Sequence, residues 1–356
     1  MFRLFERERP GKDESMKNDS INPSCADCDR TGRREFLKTA SIGGFGLMAA
    51  TVAPGGIASS FAPHYSGKGL IGEEPEKLVA ELYESLSATQ KSTVAFDFDH
   101  PLRSKVDNNW RITRPRISEF FNRDQQAMIE GIFNGVHNPE YIERVMDHVR
   151  EDGGSLGNYS IAIFGRPGTG KFEFVLTGRH CTIRCDGDSV EGAAFGGPIF
   201  YGHASQSFNE KPDHPGNVYW FQAKRVNEVF QALDGKQRER ALLGDARREQ
   251  GTRTVELNSK PEELAGLPGS EMSRDQKELA GKVLADLLLP FRRKDSEEAM
   301  HYIKKNGGVD NLHLSFYKNL DIGSDGIWDV WQLESQNMIW YFRGHPHVHV
   351  WVNIRA

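Results

Sequence analysis

Cysteine, charge imbalance and long apolar runs are all scarce in this 356-residue chain. Of four cysteines, Cys25 and Cys28 precede the first apolar run, which leaves Cys181 and Cys185 for a processed chain. Those two stand four positions apart, and an extended span of that length is about 13 Å, too far for a disulfide within one strand. Either one lies past the strand's end or both are buried free thiols. Cys25-Ala26-Asp27-Cys28 has metal-ligand spacing, but a lone pair of this kind in a disposable segment carries little information. The 45 Lys and Arg nearly balance 50 Asp and Glu, for a formal net charge of -5. Scattered basic residues on a mildly acidic chain give no nucleic-acid footprint. Beyond the N-terminal region no apolar stretch approaches the roughly 20 residues of a membrane span, so a soluble processed protein is expected.

The chain is rich in other respects. Hydrophobic residues make up 38% and charged residues 27%, enough apolar material for a core and too little imbalance for disorder. The 36 Gly, 21 Phe and 6 Trp point to strands, tight turns and aromatic packing rather than a helix bundle alone.

The N-terminal region carries an export pattern. Arg33-Arg34-Glu35-Phe36-Leu37-Lys38 is a twin-arginine motif followed by a modest Gly- and Ala-rich apolar run from Thr39 to Ala53. That run is too short and too weakly apolar for a stable membrane span. Ser60-Phe61-Ala62 offers small residues for cleavage after Ala62, and Met16 is an alternative start. Residues 1–62 are thus read as an extension and signal peptide, and 63–75 as a linker. A single domain is read over 76–356. The expected partner is the twin-arginine translocation machinery, and the expected location is periplasmic or secreted. An uncleaved leader would leave the protein tethered. Because this route carries folded proteins, often with a cofactor already loaded, it raises the expectation of a cofactor.

Along the mature chain, apolar periodicity predicts helices at about 76–91, 122–134, 139–151, 223–249, 273–289 and 295–305. Alternation predicts strands at 159–164, 172–185, 198–203, 312–317, 327–335, 338–343 and 346–354. Strands joined by short turns pair antiparallel, so the expected fold is α+β: an antiparallel sheet core with helices packed around it. Gly165-Arg166-Pro167-Gly168-Thr169-Gly170-Lys171 spells most of a phosphate-binding loop. However, Phe172 replaces the required Ser or Thr, and a strand rather than a helix follows. It is read as a hairpin turn.

The histidines carry the chemistry. In His345-Pro346-His347-Val348-His349-Val350-Trp351, strand alternation places His345, His347 and His349 on one face. Same-face neighbours lie about 7 Å apart, close enough for two imidazoles to meet on one ion. His180 is the first choice for a third ligand, mid-strand after Gly178. Glu334 is a candidate fourth ligand or general base, and His203 is a weaker candidate. Cys181 points away from His180 on such a strand. A cupin arrangement would need a Glu and a third His well downstream of the HxH, which this chain, ending at Ala356, does not offer.

Several segments, in order, resemble the uncharacterised family known as domain of unknown function 3500. They are Phe96-Asp97-Phe98-Asp99 with Arg103 and Trp110; a helix with Gln125 and Gln126; Phe164-Gly165 through Leu176, Gly178 and His180; Gly196-Gly197-Pro198; Gln237-Arg238; and Leu333-Glu334 with the terminal His347-Val348-His349-Val350-Trp351. The resemblance covers roughly 76–356. Cys181 stands where that family usually has a second His, and Trp351 falls two rather than three residues after His349. The resemblance implies no established activity, but it implies that His180, Glu334, His347 and His349 share a pocket. Asp97, Asp99 and Arg103 are further candidates for its lining, with a salt-bridged turn as the alternative.

The leading expectation is an exported metalloenzyme. His180, His347 and His349 would hold a divalent ion (zinc, copper or iron), Glu334 would assist, and an open position would serve hydrolysis or oxidation. The alternatives are a non-catalytic periplasmic protein with a ligand cleft of Trp220, Phe221, Trp328, Trp331 and Trp340, or an envelope scaffold.

Overall fold

The computed structural model describes residues 74–204, 218–319, 321 and 327–356. The twin-arginine motif, the cleavage position, Cys25, Cys28 and all but the end of the linker lie outside the described residues. Among them, no helix is long and apolar enough to cross a membrane.

Nine helices are described: α1 (Pro75–Ser85), α2 (Ala88–Val94), α3 (Ile117–Phe120), α4 (Arg123–Gly135), α5 (Ile142–Gly153), α6 (Trp220–Ala232), α7 (Gly235–Ala241), α8 (Arg274–Leu287) and α9 (Arg293–Lys305). The strands are β1 (Ala95–Phe96), β2 (Ser160–Gly165), β3 (Phe172–Gly178), β4 (Cys181–Cys185), β5 (Ile199–His203), β6 (Leu242–Leu243), β7 (Leu267–Pro268), β8 (His313–Tyr317), β9 (Val330–Ser335), β10 (Met338–Arg343) and β11 (Val348–Ile354). They form one sheet in the order β1-β2-β3-β4-β5-β11-β10-β9-β8-β6, with β7 beside β8. Only the short edge strands β1 and β6 pair parallel, so the fold is α+β on a mostly antiparallel sheet.

The two faces are covered differently. Helices α1, α4, α5, α6, α8 and α9 bury their apolar sides against Ile161, Leu176, Tyr201, Trp340, Val350 and their neighbours on one face. Irregular segments cover the other. Val106 and Val255 pack there on Phe200, Ile339, Tyr341 and Trp351, and Ile112 and Trp110 pack on Ala162, Phe164 and Val175. Strand alternation assigns side chains to these faces, and the histidines at issue fall on the loop-covered side.

Three expectations about local structure need correction. The predicted strand 172–185 is a hairpin, with Gly178 paired to Cys181 across an Arg179-His180 turn. His180, the second residue of that turn, takes φ 49° there, in the left-handed region. Cys181 and Cys185 both lie on β4 as buried free thiols. The predicted helix 223–249 stops at Ala232. Asp234 then caps a new helix reciprocally with Gln237, and β6 and an extended loop follow. Helix α5 begins at Ile142 rather than Pro139, because Asn138–Tyr141 closes a turn through Tyr141 N–H to Asn138 C=O at 2.8 Å. The glycine-rich stretch after β2 is the expected hairpin turn, with Gly165 paired to Phe172.

Candidate metal centre

Two distant pieces of chain supply the centre. The β3–β4 turn presents His180, whose N–H is held by Asn108 C=O at 2.8 Å. His347, just before β11, and His349 within it supply the other two rings, and within the sheet His349 lies between Gly202 of β5 and Arg343 of β10. Gly202 makes the convergence possible. A Cβ there would lie 3.4 Å from His180 Cδ2 and 2.4 Å from Val348 C=O, so a side chain would meet both the ligand ring and the neighbouring backbone. Gly202→Ala is therefore expected to cost about 1–3 kcal/mol, as overpacking does, and to weaken metal binding. Denaturant melts and a metal titration check this; wild-type values in both would contradict it.

The three rings form a compact triangle, with centroids 4.9, 4.9 and 4.8 Å apart. His349 Nε2 lies 3.1 Å from His180 Nε2 and 3.0 Å from His347 Nε2. All three are buried, at 4%, 1% and 0% exposed for His180, His347 and His349. A metal bound by imidazole nitrogens at about 2.0–2.1 Å in tetrahedral geometry would set them about 3.3–3.4 Å apart. The observed spacing is a few tenths of an ångström tighter. Among the described residues this is the group whose donor atoms could share an ion.

A second layer holds the rings. Asp152, near the C-terminus of α5, accepts from His180 Nδ1 and pairs with Arg179 Nε at 2.7 Å. Its side chain is 3% exposed. Burial pushes its pKa up, but His180 and Arg179 overcome that and hold the carboxyl well below the usual range. On the other side, Glu249 Oε2 lies 2.7 Å from His349 Nδ1, and Glu249 Oε1 lies 2.8 Å from Arg343 Nε. Burial depresses the pKa of His180 against the pull of Asp152. Burial and the Arg343 charge hold His349 well below its ordinary value. Both shifts favour the neutral rings.

A carboxylate can only accept, so His180 Nδ1 carries the proton and leaves its Nε2 as a bare lone pair, and His349 does the same whenever Glu249 is the partner of its Nδ1. Lone pairs aimed at one point in a buried place repel unless a cation or a proton sits between them. Carboxylates that orient metal-bound histidines in this way are the usual outer layer of such sites.

The remaining sequence candidates lie elsewhere. Glu334 shares the loop-covered face but sits four positions along β9 from Val330, which pairs with Arg343. That is about 13 Å along the strand from the row of His349. It bonds Arg247 at 2.8 Å and Gln332 at 2.6 Å, so it is neither fourth ligand nor base here. His345 precedes the start of β11 and does not join the group. His203 pairs with Val348 in the ladder, which turns its side chain to the helix-covered face. There it packs on His148 with centroids 3.8 Å apart. Arg103 pairs with Glu173 at 3.0 Å, while Asp97 and Asp99 are exposed in the turn before it. Glu173 lies five residues along β3 from Gly178, about 16 Å away, so Arg103 is held by an ion pair away from the histidines. The proposed aromatic cleft is not formed either: Trp220, Trp331 and Trp340 are at most 3% exposed in the core.

Sequence reasoning missed Asp152 and Glu249. The second was hidden because 223–249 reads as one helix, although Asp234 with Gln237 three positions on is a capping signal that could have broken it. For Asp152 a single sequence offers no signal that ties it to a turn 28 residues later.

No curated protein and no solved structure matches this chain. A family profile described as "Protein of unknown function (DUF3500)" matches residues 73–351. With more than two thirds of its length matched and the ordered motifs in place, this chain is a member of the DUF3500 family.

Proposed function

We propose that this protein is an exported metalloprotein that binds one divalent transition-metal ion through the Nε2 atoms of His180, His347 and His349. The observation that carries the proposal is the convergence of three buried imidazoles, two of them backed by buried carboxylates. Export is supported by Arg33-Arg34 and the apolar run behind it. The all-nitrogen ligand set suits zinc, copper or iron. Three protein ligands leave a coordination position for water or a small reactant, the arrangement of catalytic rather than structural sites. The cavity that adjoins His180 and Asp152 has a volume near 30 Å³, room for one or two waters.

Metal analysis of protein purified without an affinity tag tests this reading. The expected result is about one ion per chain, removed by a strong chelator with loss of thermal stability. Metal at about 1,000 times its dissociation constant contributes about 4 kcal/mol, or roughly 10 °C in melting temperature for a domain of this size. Less than about a tenth of an ion per chain, with no shift on adding zinc, copper or iron, would overturn the proposal.

A further inference from the structure

The geometry points to Arg343 and Glu249 as positioning residues that compete for His349 Nδ1 and thereby set whether its Nε2 can meet a metal. This rests on the metal-binding reading above. Arg343 Nη2 lies 2.5 Å from His349 Nδ1, and Glu249 Oε2 lies 2.7 Å from the same atom. A guanidinium only donates and a carboxylate only accepts, so one ring nitrogen cannot satisfy both at once. The neutral ring carries a single proton, and each placement has its own partners.

With the proton on Nε2, Nδ1 accepts from Arg343. The Nε2–H then donates to His347 Nε2 at 3.0 Å or His180 Nε2 at 3.1 Å. His180 is already committed as an acceptor there, because its Nδ1 donates to Asp152. This tautomer relieves the clash of lone pairs and belongs to the metal-free protein. With the proton on Nδ1, the ring donates to Glu249, and Nε2 is bare for the metal. Arg343 then keeps its ion pair with Glu249, Nε to Oε1 at 2.8 Å. On metal binding a proton leaves Nε2 for solvent while Nδ1 takes one up. The ring's charge is unchanged, and this histidine releases no net proton. Glu249 thus favours the ligand tautomer and Arg343 opposes it.

The test is zinc affinity in Glu249→Gln and Arg343→Met, together with nitrogen NMR of imidazole-labelled protein, the His349 signals being identified by their absence in His349→Ala. Glu249→Gln is expected to weaken zinc binding about 10–100-fold, the usual effect of losing an outer-layer partner. Arg343→Met is expected to tighten it. A purely structural role would weaken binding in both. The metal-free wild type should show a protonated Nε2 on His349, moving to Nδ1 when zinc binds. Weaker binding in Arg343→Met, or a proton already on Nδ1 in the metal-free wild type, would overturn the inference. The metal-free spectrum needs neither the variants nor the metal. Failure of wild-type protein to bind zinc, copper or iron would sink the metal reading instead and leave the tautomer still decided.

Discussion

Replacing His349 with Ala will lower metal affinity by more than about 100-fold, beyond what the loss of an outer-layer partner does. His349 is the middle ligand: its Nε2 lies within 3.1 Å of both other Nε2 atoms, while the rings of His180 and His347 otherwise meet only edge-on. Without it two imidazoles remain, and an ion held by two nitrogens and water gains little from the site. The fold should survive, because Glu249 and Arg343 stay paired with each other. His345→Ala is the matched control, a histidine four residues away that stands outside the group, and it should leave affinity unchanged. Competition against a chromophoric chelator reads both. Wild-type affinity in His349→Ala, or equal losses in the two variants, would contradict this assignment.

The second large effect concerns stability and lies away from the metal. Glu173 is fully buried and carries both Arg184 and Arg103. The Arg184 side chain is 1% exposed and also donates to the carbonyls of Pro198, Arg103 and Lys105. Glu173→Gln preserves the shape but leaves Arg184 charged and without a counter-ion in the sheet. Removing one partner of a buried pair costs about 3–5 kcal/mol, or about 10 °C in melting temperature at 2–4 °C per kcal/mol. Metal stoichiometry in the folded protein should not change, because this cluster lies about 16 Å along β3 from the His180 turn. Calorimetry checks the first point and metal analysis the second. An unshifted melting temperature would show that the carboxylate is dispensable.

The fold class was legible because its signals are local. The alternation in β2, β9, β10 and β11 acts within a few positions of itself, whereas the predicted helix 76–91 is two, α1 and α2, because Ser87 caps the second. The grouping of His347 with His349 was expected from strand alternation, although of the two only His349 lies on β11, which begins at Val348. His180 joins the group, but with a geometry other than the one expected. It reaches the site from a left-handed turn position, not from mid-strand, and only Gly202 on a different strand leaves it room. Glu334 was misassigned because membership of a neighbouring strand does not fix position along it. Four residues of register separate it from the row of His349, and register is set by the whole ladder. Glu249 and Asp152 depend on contacts across 100 and 28 residues, between a loop or helix end and a ring nitrogen. No spacing rule in one sequence encodes such pairs.

Anomalous X-ray scattering from crystals of the untagged protein, recorded at the absorption edge of whichever metal co-purifies, tests the central claim most directly. A single peak is expected at about 2.0–2.1 Å from the Nε2 atoms of His180, His347 and His349. A metal located elsewhere in the chain, or an anomalous map with no density between those three nitrogens after metal loading, would contradict it.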